Sequence, residues 1–283
     1  MDNTLLARPA TQADHSELSI FLNSDIKIHR HLDWRAMLDW LSCEPFWLLM
    51  DSEKIQAVLS CPPDPVNIYW IRLFAISISF SNKRAWEILF RHVLQNHSFP
   101  AQSRIVALVY QAWMQEVLIS QNWKTYQNVI LLKWNRKIPS KPTLNEKCFI
   151  RPMMFSDLEI VAEIDAQSFE PVWQHSLETI RHAYEQAAYA TVLEVNSEVI
   201  AYQISTAEHV RAHLARLAVL PAYRRQQYGY ALVVDMLYHF RRPWIKEITV
   251  NTQEDNLKSI HLYQKTGFAL TGETYPILEY PLT

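Results

Sequence analysis

Apolar and polar positions alternate in two ways along the chain, and these patterns predict strands and helices in turn. Runs of β-branched and aromatic residues predict strands over 69–80, 104–110, 190–194 and 247–250. Within 230–238 the apolar residues recur at every third or fourth position, which predicts a helix with one buried face. They are Tyr230, Val233, Val234, Leu237 and Tyr238. Strands interleaved with helices place the protein in the α/β class, of the α+β type.

The chain repeats itself at half its length. The pattern RPxxxxD stands at residues 8–14 and again at 151–157, 143 residues further on. After each copy the predicted elements follow in the same order, ending in a last strand at 129–134 in the first half and at 275–280 in the second. Two copies of one α/β unit explain this order.

A polar segment separates the two halves. Residues 136–147 (RKIPSKPTLNEK) hold two prolines, four cations and few apolar residues, which is typical of a linker. We therefore predict one domain at residues 1–135 and a second at residues 148–283.

Composition narrows the class of protein. The 283 residues are 49% apolar and 20% charged, as in folded globular proteins, and suffice for two domains. The formal net charge of -2 gives no electrostatic footprint for nucleic acid or a membrane surface. No apolar run approaches the roughly 18 residues of a membrane-spanning helix. We expect neither nucleic acid nor membrane as a partner.

Glycine and cysteine exclude several kinds of site. Three glycines occur, Gly229, Gly267 and Gly272, and their spacing fits neither a Rossmann fingerprint nor a Walker A loop. The three cysteines are widely spaced and form no CxxC pair, so a disulfide framework and a zinc knuckle are not indicated. We expect free thiols, no metal site and a cytoplasmic protein.

The segment 214–232 (LARLAVLPAYRRQQYGYAL) predicts a strand, a basic loop and then a helix. Unpaired amides and the positive dipole end at a helix N-terminus suit a phosphate or pyrophosphate. Arg224 and Arg225 add positive charge, and Gly229 allows a ligand to approach the backbone. The segment thus predicts an anion site, with a solvated basic helix start as the alternative.

The segment 256–268 (NLKSIHLYQKTGF) predicts a helix that follows a strand. Asn256, Ser259 and Tyr263 fall on one side of this helix. Gly267 suits the left-handed position that ends a helix. A half-buried tyrosine with a structural hydrogen bond is the alternative interpretation of Tyr263.

Together the two segments resemble the GNAT superfamily of acyl-CoA-dependent N-acetyltransferases. Arg224 and Gly229 stand at the first and last positions of that family's pyrophosphate loop, and Gln227 replaces its middle glycine. The second segment matches the family at Asn256, Leu262, Tyr263, Gly267 and Phe268. The resemblance covers residues 149–283 by motif and the first half by layout alone. It implies two GNAT-like domains, each a mixed, mostly antiparallel sheet flanked by helices.

The resemblance also implies how the co-substrate acetyl-CoA is held. Leu217 and Val219 would offer backbone groups to its pantetheine arm, and Asn256 would contact it near the thioester. Arg224 opens the pyrophosphate loop, whose amides belong to Arg225, Gln226, Gln227, Tyr228, Gly229 and Tyr230. A primary amine of a small molecule or a protein would attack the thioester directly, and Tyr263 would protonate the departing CoA thiolate.

The general base stays open at the level of sequence. His213 stands eleven residues before Arg224, where histone-type members have a glutamate, and shares the strand alternation of Leu217 and Val219. A histidine side chain has an ordinary pKa of about 6.5, which suits this task. A strand histidine with a structural hydrogen bond is the alternative.

Other polar residues offer further possibilities. Asn251 stands where ribosomal-protein alanine acetyltransferases have a glutamate, which argues against assuming their mechanism or substrate. Glu170, in the loop FEPVW, and Glu208 are further candidates for the base. His209 and His213 have a spacing compatible with metal ligands, but no third ligand is evident.

The corresponding motifs have decayed in the first half. Residues 79–84 occupy the loop position without a glycine, and Leu118 stands where Tyr263 does. We expect no second acetyl-CoA site there, and a structural domain that helps to wall the acceptor site. Eight of the ten tryptophans lie in this half, where they fill a core or line a groove. Tandem GNAT proteins of the mycothiol synthase type show a similar layout.

Three functions fit these observations. The first is an N-acetyltransferase, either monomeric or homodimeric. The second is a non-catalytic acyl-CoA-binding sensor or scaffold, which the glutamine at position 227 and the unassigned base favour. The third, a nucleic-acid module built on the loop at 224–225, has little support from the net charge.

Overall fold

The computed structural model of the chain describes residues 5–144 and 146–282. They form two compact units. The first contains the residues up to Tyr126 together with those from Pro276 on, and the second is Gln127–Tyr275. Asn145, in the predicted linker, lies outside the described residues, as do residues 1–4 and 283 at the ends of the predicted domains.

Strands outnumber helices in the first unit, as the runs of β-branched and aromatic residues predict. Its elements are β1 (Leu5–Pro9), α1 (His15–Leu22), β2 (Ile26–Arg30), β3 (Phe46–Asp51), β4 (Lys54–Ser60), β5 (Ile68–Trp70), β6 (Leu73–Ser77), α2 (Asn82–Asn96), β7 (Arg104–Leu108) and α3 (Ala112–Ser120).

The second unit continues the alternation of strands and helices. Its elements are β8 (Lys124–Trp134), β9 (Cys148–Pro152), α4 (Leu158–Ser168), α5 (Leu177–Glu185), β10 (Tyr189–Val195), β11 (Glu198–Glu208), β12 (Arg211–Val219), α6 (Tyr228–His239), β13 (Glu247–Gln253), α7 (Leu257–Lys265) and the larger part of β14 (Phe268–Tyr280).

The sheet of the first unit has helices on both faces. Five antiparallel strands follow the order β1-β3-β4-β6-β2. Successive side chains of a strand point to opposite faces, so Trp47 and Leu49 of β3 pack in one core with α2, whereas Phe46 and Leu48 pack in another with α1. Beside these strands, β5 pairs in parallel with β7.

The second unit contains the mixed, mostly antiparallel sheet that the sequence predicts. Its strands follow the order β9-β10-β11-β12-β13-β8-β14. From β9 to β8, the β12–β13 pair is parallel and the other pairs are antiparallel. The predicted apolar face of α6 packs on this sheet through Val233 and Leu237. On the other face α4 packs against β11 and β12.

Each unit takes one strand from the other half of the sequence repeat. β8, the last strand of the first half, pairs with β13 from Lys133↔Thr249 to Val129↔Gln253. The end of β14 pairs with β7 of the first unit, from Ile277↔Leu108 to Tyr280↔Ile105. The compact units therefore differ from the halves of the sequence, because residues 127–135 belong to the second unit.

The RPxxxxD repeat has the same structure in both units. Arg8 donates two hydrogen bonds to the carboxylate of Asp14, at 2.9 and 2.6 Å, and Arg151 donates two to Asp157, at 2.7 and 2.9 Å. In both copies the arginine holds the pKa of the aspartate below its ordinary value. The sequence repeat is thus a structural repeat as well.

One local expectation changes in the structure, and one pair of alternatives is decided. The predicted strand at 69–80 is divided, since β5 ends at Trp70, β6 begins at Leu73, and residues 78–80 form a turn. The tryptophans of the first half fill cores for the most part. Trp40, Trp47, Trp70, Trp86, Trp123 and Trp134 are buried.

Candidate functional site

A groove opens where β12 and β13 diverge. Their parallel pairing runs from Arg211↔Glu247 to Leu214↔Val250 and ends there. Further along, β12 pairs with β11 on its other edge, from Ile204↔Arg216 to Ala201↔Val219. The edge of β12 that faces β13 therefore offers backbone groups to a ligand, in a groove of about 760 Å³ within the second unit.

Most of the predicted cofactor residues line this groove. Its walls include Glu170, Leu217, Val219, Arg224, Arg225, Gln227, Tyr228, Gly229, Tyr230 and Asn256. Gln226, His213 and Tyr263 are not part of its lining. Residues that sequence reasoning missed also line it, namely Gln127, Trp173, Lys258, His261 and Lys265.

The basic loop leads into the N-terminus of α6. Pro221–Tyr223 form one turn of 3-10 helix, and Arg225 and Gln227 adopt positive φ angles of 65° and 66°. α6 begins at Tyr228, so the amides of its first turn have no partner within the helix. Arg225, Lys258 and Lys265 add positive charge to the groove. This end of the groove fits a pyrophosphate.

Arg224 is engaged within the loop itself. Its Nε donates to the carbonyl of Val219 and its Nη2 to the carbonyl of Ser168, both at 3.1 Å. The guanidinium thereby fixes the end of β12 to the end of α4. Arg224 therefore shapes the loop, and Arg225 contributes positive charge to the groove.

Gly229 and Gln227 each differ from what the family's loop motif implies. A Cβ at Gly229 would lie 3.4 Å from Leu262 and 3.6 Å from Val219, which is ordinary contact, so the fold itself leaves room for a side chain there. Gln227, in contrast, holds the left-handed conformation (φ 66°, ψ 8°) that favours glycine. The backbone requirement of the glycine motif thus survives at a residue that is not glycine.

The second motif forms the start and the core of α7. Asn256 is the N-cap, and its side chain accepts a hydrogen bond from the Ser259 amide at 3.2 Å. Tyr263 is 6% exposed and packs near Phe268, with ring centroids 5.9 Å apart. Burial raises the pKa of Tyr263 above its ordinary value, and the positive charge of Arg216 opposes this shift. The phenol therefore stays protonated at neutral pH.

A β-bulge overturns the expected alternation of His213 with Leu217 and Val219. In the pairing of β11 with β12, Ser205 lies opposite Leu214 and Ile204 lies opposite Arg216, so Ala215 is an extra residue. One extra residue reverses the facing of all that follow. His213 therefore lies on the opposite face of the sheet from Leu217.

Both ring nitrogens of His213 have partners. Nδ1 lies 2.8 Å from Thr249 Oγ1, and Nε2 lies 2.8 Å from Asn251 Oδ1. Because the amide oxygen only accepts, Nε2 carries a hydrogen and Nδ1 of the neutral ring accepts from Thr249. Burial lowers the pKa of His213, and the bond to Asn251 acts in the opposite direction. His213 can accept a proton only when one of these bonds is exchanged.

A buried ion pair lies directly after the bulge, and sequence reasoning missed it. Arg216 Nε and Nη2 donate to the carboxylate of Asp165 at 2.7 and 2.8 Å, with side chains 10% and 0% exposed. Tyr202 donates to the same carboxylate at 2.5 Å, and Arg216 also donates to the Trp173 carbonyl. Burial alone would raise the pKa of Asp165, but Arg216 holds it below its ordinary value. The available signal was Arg216, a charged residue within the otherwise apolar run 214–220.

Gln127 of β8 joins two loops at the groove. Its Oε1 accepts from Trp173 Nε1 at 2.9 Å, and its Nε2 donates to Asp255 at 2.7 Å. Glu170, in the same loop as Trp173, is exposed and lines the groove. A residue from the first half of the sequence thus helps to line the groove.

Over residues 5–144 and 146–282, no group of three or more His, Cys, Asp or Glu side chains is arranged to hold a metal ion. Among the helices in the same residues, none has the length and apolar character needed to cross a membrane.

Comparison with known proteins finds a similarity to one family within the second half of the chain. The sequence model of the acetyltransferase (GNAT) family matches residues 158–268. This range contains the loop, α6, β13 and α7, and so most of the groove described above. No curated protein matches the chain by sequence.

Solved structures share the fold of almost the whole chain. A GCN5-related N-acetyltransferase from Sphaerobacter thermophilus is 12% identical, with a TM-score of 0.60 over 99% of this chain and 96% of that one. A tandem GNAT protein from the clavulanic acid biosynthesis pathway is 12% identical, with a TM-score of 0.59 over 99% and 100%. A GCN5-related N-acetyltransferase from Anabaena variabilis reaches 0.70 at 12% identity, over 98% and 72%. The fold is therefore that of GNAT proteins, including a tandem one.

Proposed function

We propose that this chain, which carries a GNAT acetyltransferase domain at residues 158–268, transfers the acetyl group of acetyl-CoA to a primary amine of a small molecule or a protein. The groove between β12 and β13 carries the proposal, because it joins an exposed strand edge to a basic helix N-terminus. We assign the reaction to the second unit and to a reducing compartment such as the cytoplasm, where the free Cys43, Cys61 and Cys148 would persist.

The groove offers each part of acetyl-CoA a matching partner. The free edge of β12 at Leu217 and Val219 suits the amides of a pantetheine arm, in the manner of an added strand. The first-turn amides of α6 and the side chain of Arg225 suit the pyrophosphate. When bound, acetyl-CoA supplies an activated acyl group, so the protein has only to position the amine and manage protons.

The reaction needs two proton transfers, one to the CoA thiolate and one from the amine, and we assign them to different residues. Tyr263, kept protonated by its burial, is the proposed acid for the CoA thiolate. For the amine proton, exposed Glu170 lines the groove and has direct access to it. His213 is the other candidate, and it acts only after exchanging its bond to Thr249 or Asn251.

A second candidate function is an acyl-CoA-binding sensor or scaffold without turnover. The side chain of Gln227 lines the groove at the pyrophosphate end, and both nitrogens of His213 are hydrogen-bonded. Such a protein would bind acetyl-CoA and return it unchanged.

Replacing Tyr263 by phenylalanine separates the two functions. We expect Tyr263→Phe to lower kcat by about 10²- to 10⁴-fold, the usual contribution of a positioned acid, while the Kd for acetyl-CoA stays within about twofold. Calorimetric titration with acetyl-CoA and an assay of released CoA over a panel of amines measure the two quantities.

Tyr275→Phe is the matched control. Tyr275 lies in β14, outside α7, and its hydroxyl donates to Glu273 at 2.5 Å, so this variant should keep wild-type kcat. A wild-type protein that binds acetyl-CoA but acetylates no amine in the panel would support the sensor. An unchanged kcat in Tyr263→Phe would remove the tyrosine from the proposed mechanism.

A further inference from the structure

The first unit contains a divergence of strands like the one that forms the groove. β5 pairs in parallel with β7 from Ile68↔Arg104 to Trp70↔Val106, which lie 143 residues before the pairs that join β12 and β13. β6 then pairs with β4 from Ser60↔Leu73 to Ala57↔Ile76, as the end of β12 pairs with β11. β5 and β6 together are thus the counterpart of β12, and β7 is the counterpart of β13.

In the first unit this divergence is filled by the chain itself. The edge of β6 that corresponds to the free edge of β12 pairs with β2, antiparallel, from Ile26↔Ser77 to Arg30↔Leu73. Phe74 and Ile76 stand at the repeat positions of Leu217 and Val219, and they lie opposite His29 and Lys27. The strand edge that the second unit offers to a ligand is therefore already paired here.

Residues between β7 and α3, on the opposite side of β2 from β6, also hold β2. Gln111 is the N-cap of α3, as Asn256 is of α7, and its Nε2 donates to the carbonyl of Ile28 at 2.8 Å. Tyr110 Oη donates to the carbonyl of Arg30 at 2.6 Å. Side chains from the end of β7 thus bind the backbone of β2, on the side away from β6.

Directly after β2, His31 makes a buried contact with the segment between β5 and β6. The amide of His31 donates to the carbonyl of Arg72 at 2.8 Å, and its ring stacks on Trp70 at 4.6 Å between centroids. His29 is fully buried, and its ring lies 5.6 Å from that of Tyr110. β2 is the last strand of its sheet, but hydrogen bonds hold its backbone along both edges.

We propose that β2 is an internal ligand of the first unit, whose backbone occupies the place that a pantetheine arm takes between β12 and β13. This comparison rests on the proposed function of the second unit. The first unit then lacks a second acyl-CoA site for a reason besides its missing loop glycine, because its own strand competes for the groove at the effective concentration of a tethered segment. The chain binds one acyl-CoA.

Hydrogen exchange of the full chain with and without acetyl-CoA tests this assignment. Amides of β2 and β6 should exchange slowly in the free protein, and their rates should stay within twofold when acetyl-CoA is added. Amides at 216–219 of β12 should exchange fast in the free protein and slow at least tenfold with acetyl-CoA. Calorimetry should give one site per chain.

Two results would overturn the proposal. One is rapid exchange of 26–30 in the free protein, and the other is a change at 26–30 or 73–77, with a second binding event, when acetyl-CoA is present. Failure of the proposed function looks different, because the amides of β12 would then not respond to acetyl-CoA while those of β2 and β6 remained protected.

A double variant tests the contacts that hold β2. Tyr110→Phe with Gln111→Leu removes both side-chain donors to its carbonyls, and exchange at 26–30 should accelerate at least tenfold while β12 is unaffected. Gln115→Leu, a glutamine on the same helix, is the matched control and should leave the rates within twofold. Unchanged exchange in the double variant would show that these contacts do not hold the strand, against the proposal.

Discussion

Gln227, in the basic loop before α6, has a left-handed backbone conformation that is unfavourable for a residue with a side chain. A left-handed conformation costs a residue with a Cβ about 1 kcal/mol, and glycine avoids that cost. Sequence patterns located this loop because its charges, its helix start and its glycine position are all local. They could not reveal the bulge at Ala215, since a bulge depends on the register with the neighbouring strand, so His213 was assigned to the wrong face.

At this scale we predict that Gln227→Gly improves cofactor binding. Glycine adopts φ 66° without strain and removes a side chain from the groove, so the Kd for acetyl-CoA should fall about three- to tenfold by calorimetry. The free energy of unfolding should change by less than about 1 kcal/mol, because glycine also adds freedom to the unfolded chain. Gln226→Gly, whose φ is not positive, is the control. Tighter binding by that control as well would contradict the argument.

Among the elements, β2 shows why strand partners are harder to predict than strands. Its five residues carry no signal that they pair with β6 in place of an external ligand, because periodicity reports burial and not the identity of a neighbour. The division of 69–80 into β5 and β6 was missed for the same reason. Where the two strands part, at residues 71–72, Arg72 is the one polar residue in an otherwise apolar run from 68 to 76.

For β2 we predict a pH dependence of stability that depends on His29. Burial lowers the pKa of His29 to about 4, against about 6.5 in an unfolded chain. The unfolded state therefore binds more protons between these values, and stability is lost as the pH falls from 6.5 to 4, by about 3 kcal/mol for this residue. His31 and Tyr110 are its titratable neighbours, and the pKa of His31 is itself lowered by burial and by the charge of Arg72.

Urea unfolding of the wild type and of His29→Gln between pH 7 and 4.5 measures this contribution. The variant should show a shallower loss of unfolding free energy over that interval. Parallel curves for the two proteins would mean that His29 is protonated equally in the folded and unfolded states.

At the scale of the whole molecule, the exchange of strands between the sequence halves determines which fragments of the chain can fold alone. The internal repeat predicted two units of one fold, and both are present, since the Arg8–Asp14 and Arg151–Asp157 pairs recur in the same place. The repeat could not predict which unit each last strand would join, because both units offer the same edge to it. β8 supplies Leu132 and Trp134, 0% and 4% exposed, to the core of the second unit.

A fragment of residues 146–283 should therefore fail to fold. It lacks β8, so the edge of β13 and the apolar surface under Leu132 and Trp134 would face water. A fragment of residues 124–275 keeps that strand and should be recovered as a monomer that binds acetyl-CoA. Size-exclusion chromatography followed by calorimetry compares the two. A monomeric 146–283 fragment with wild-type affinity would contradict the prediction.

The same exchange of strands delays completion of the first unit during synthesis. β7 waits for its partner in β14 until the ribosome has added the 168 residues between Leu108 and Ile277, which takes on the order of ten to thirty seconds at ordinary elongation rates. During that interval the nascent first unit carries an open strand edge, a natural place for a chaperone to bind. We therefore expect the recovered yield of this protein to fall when chaperone supply is limited, although the free energy of the finished fold is unchanged.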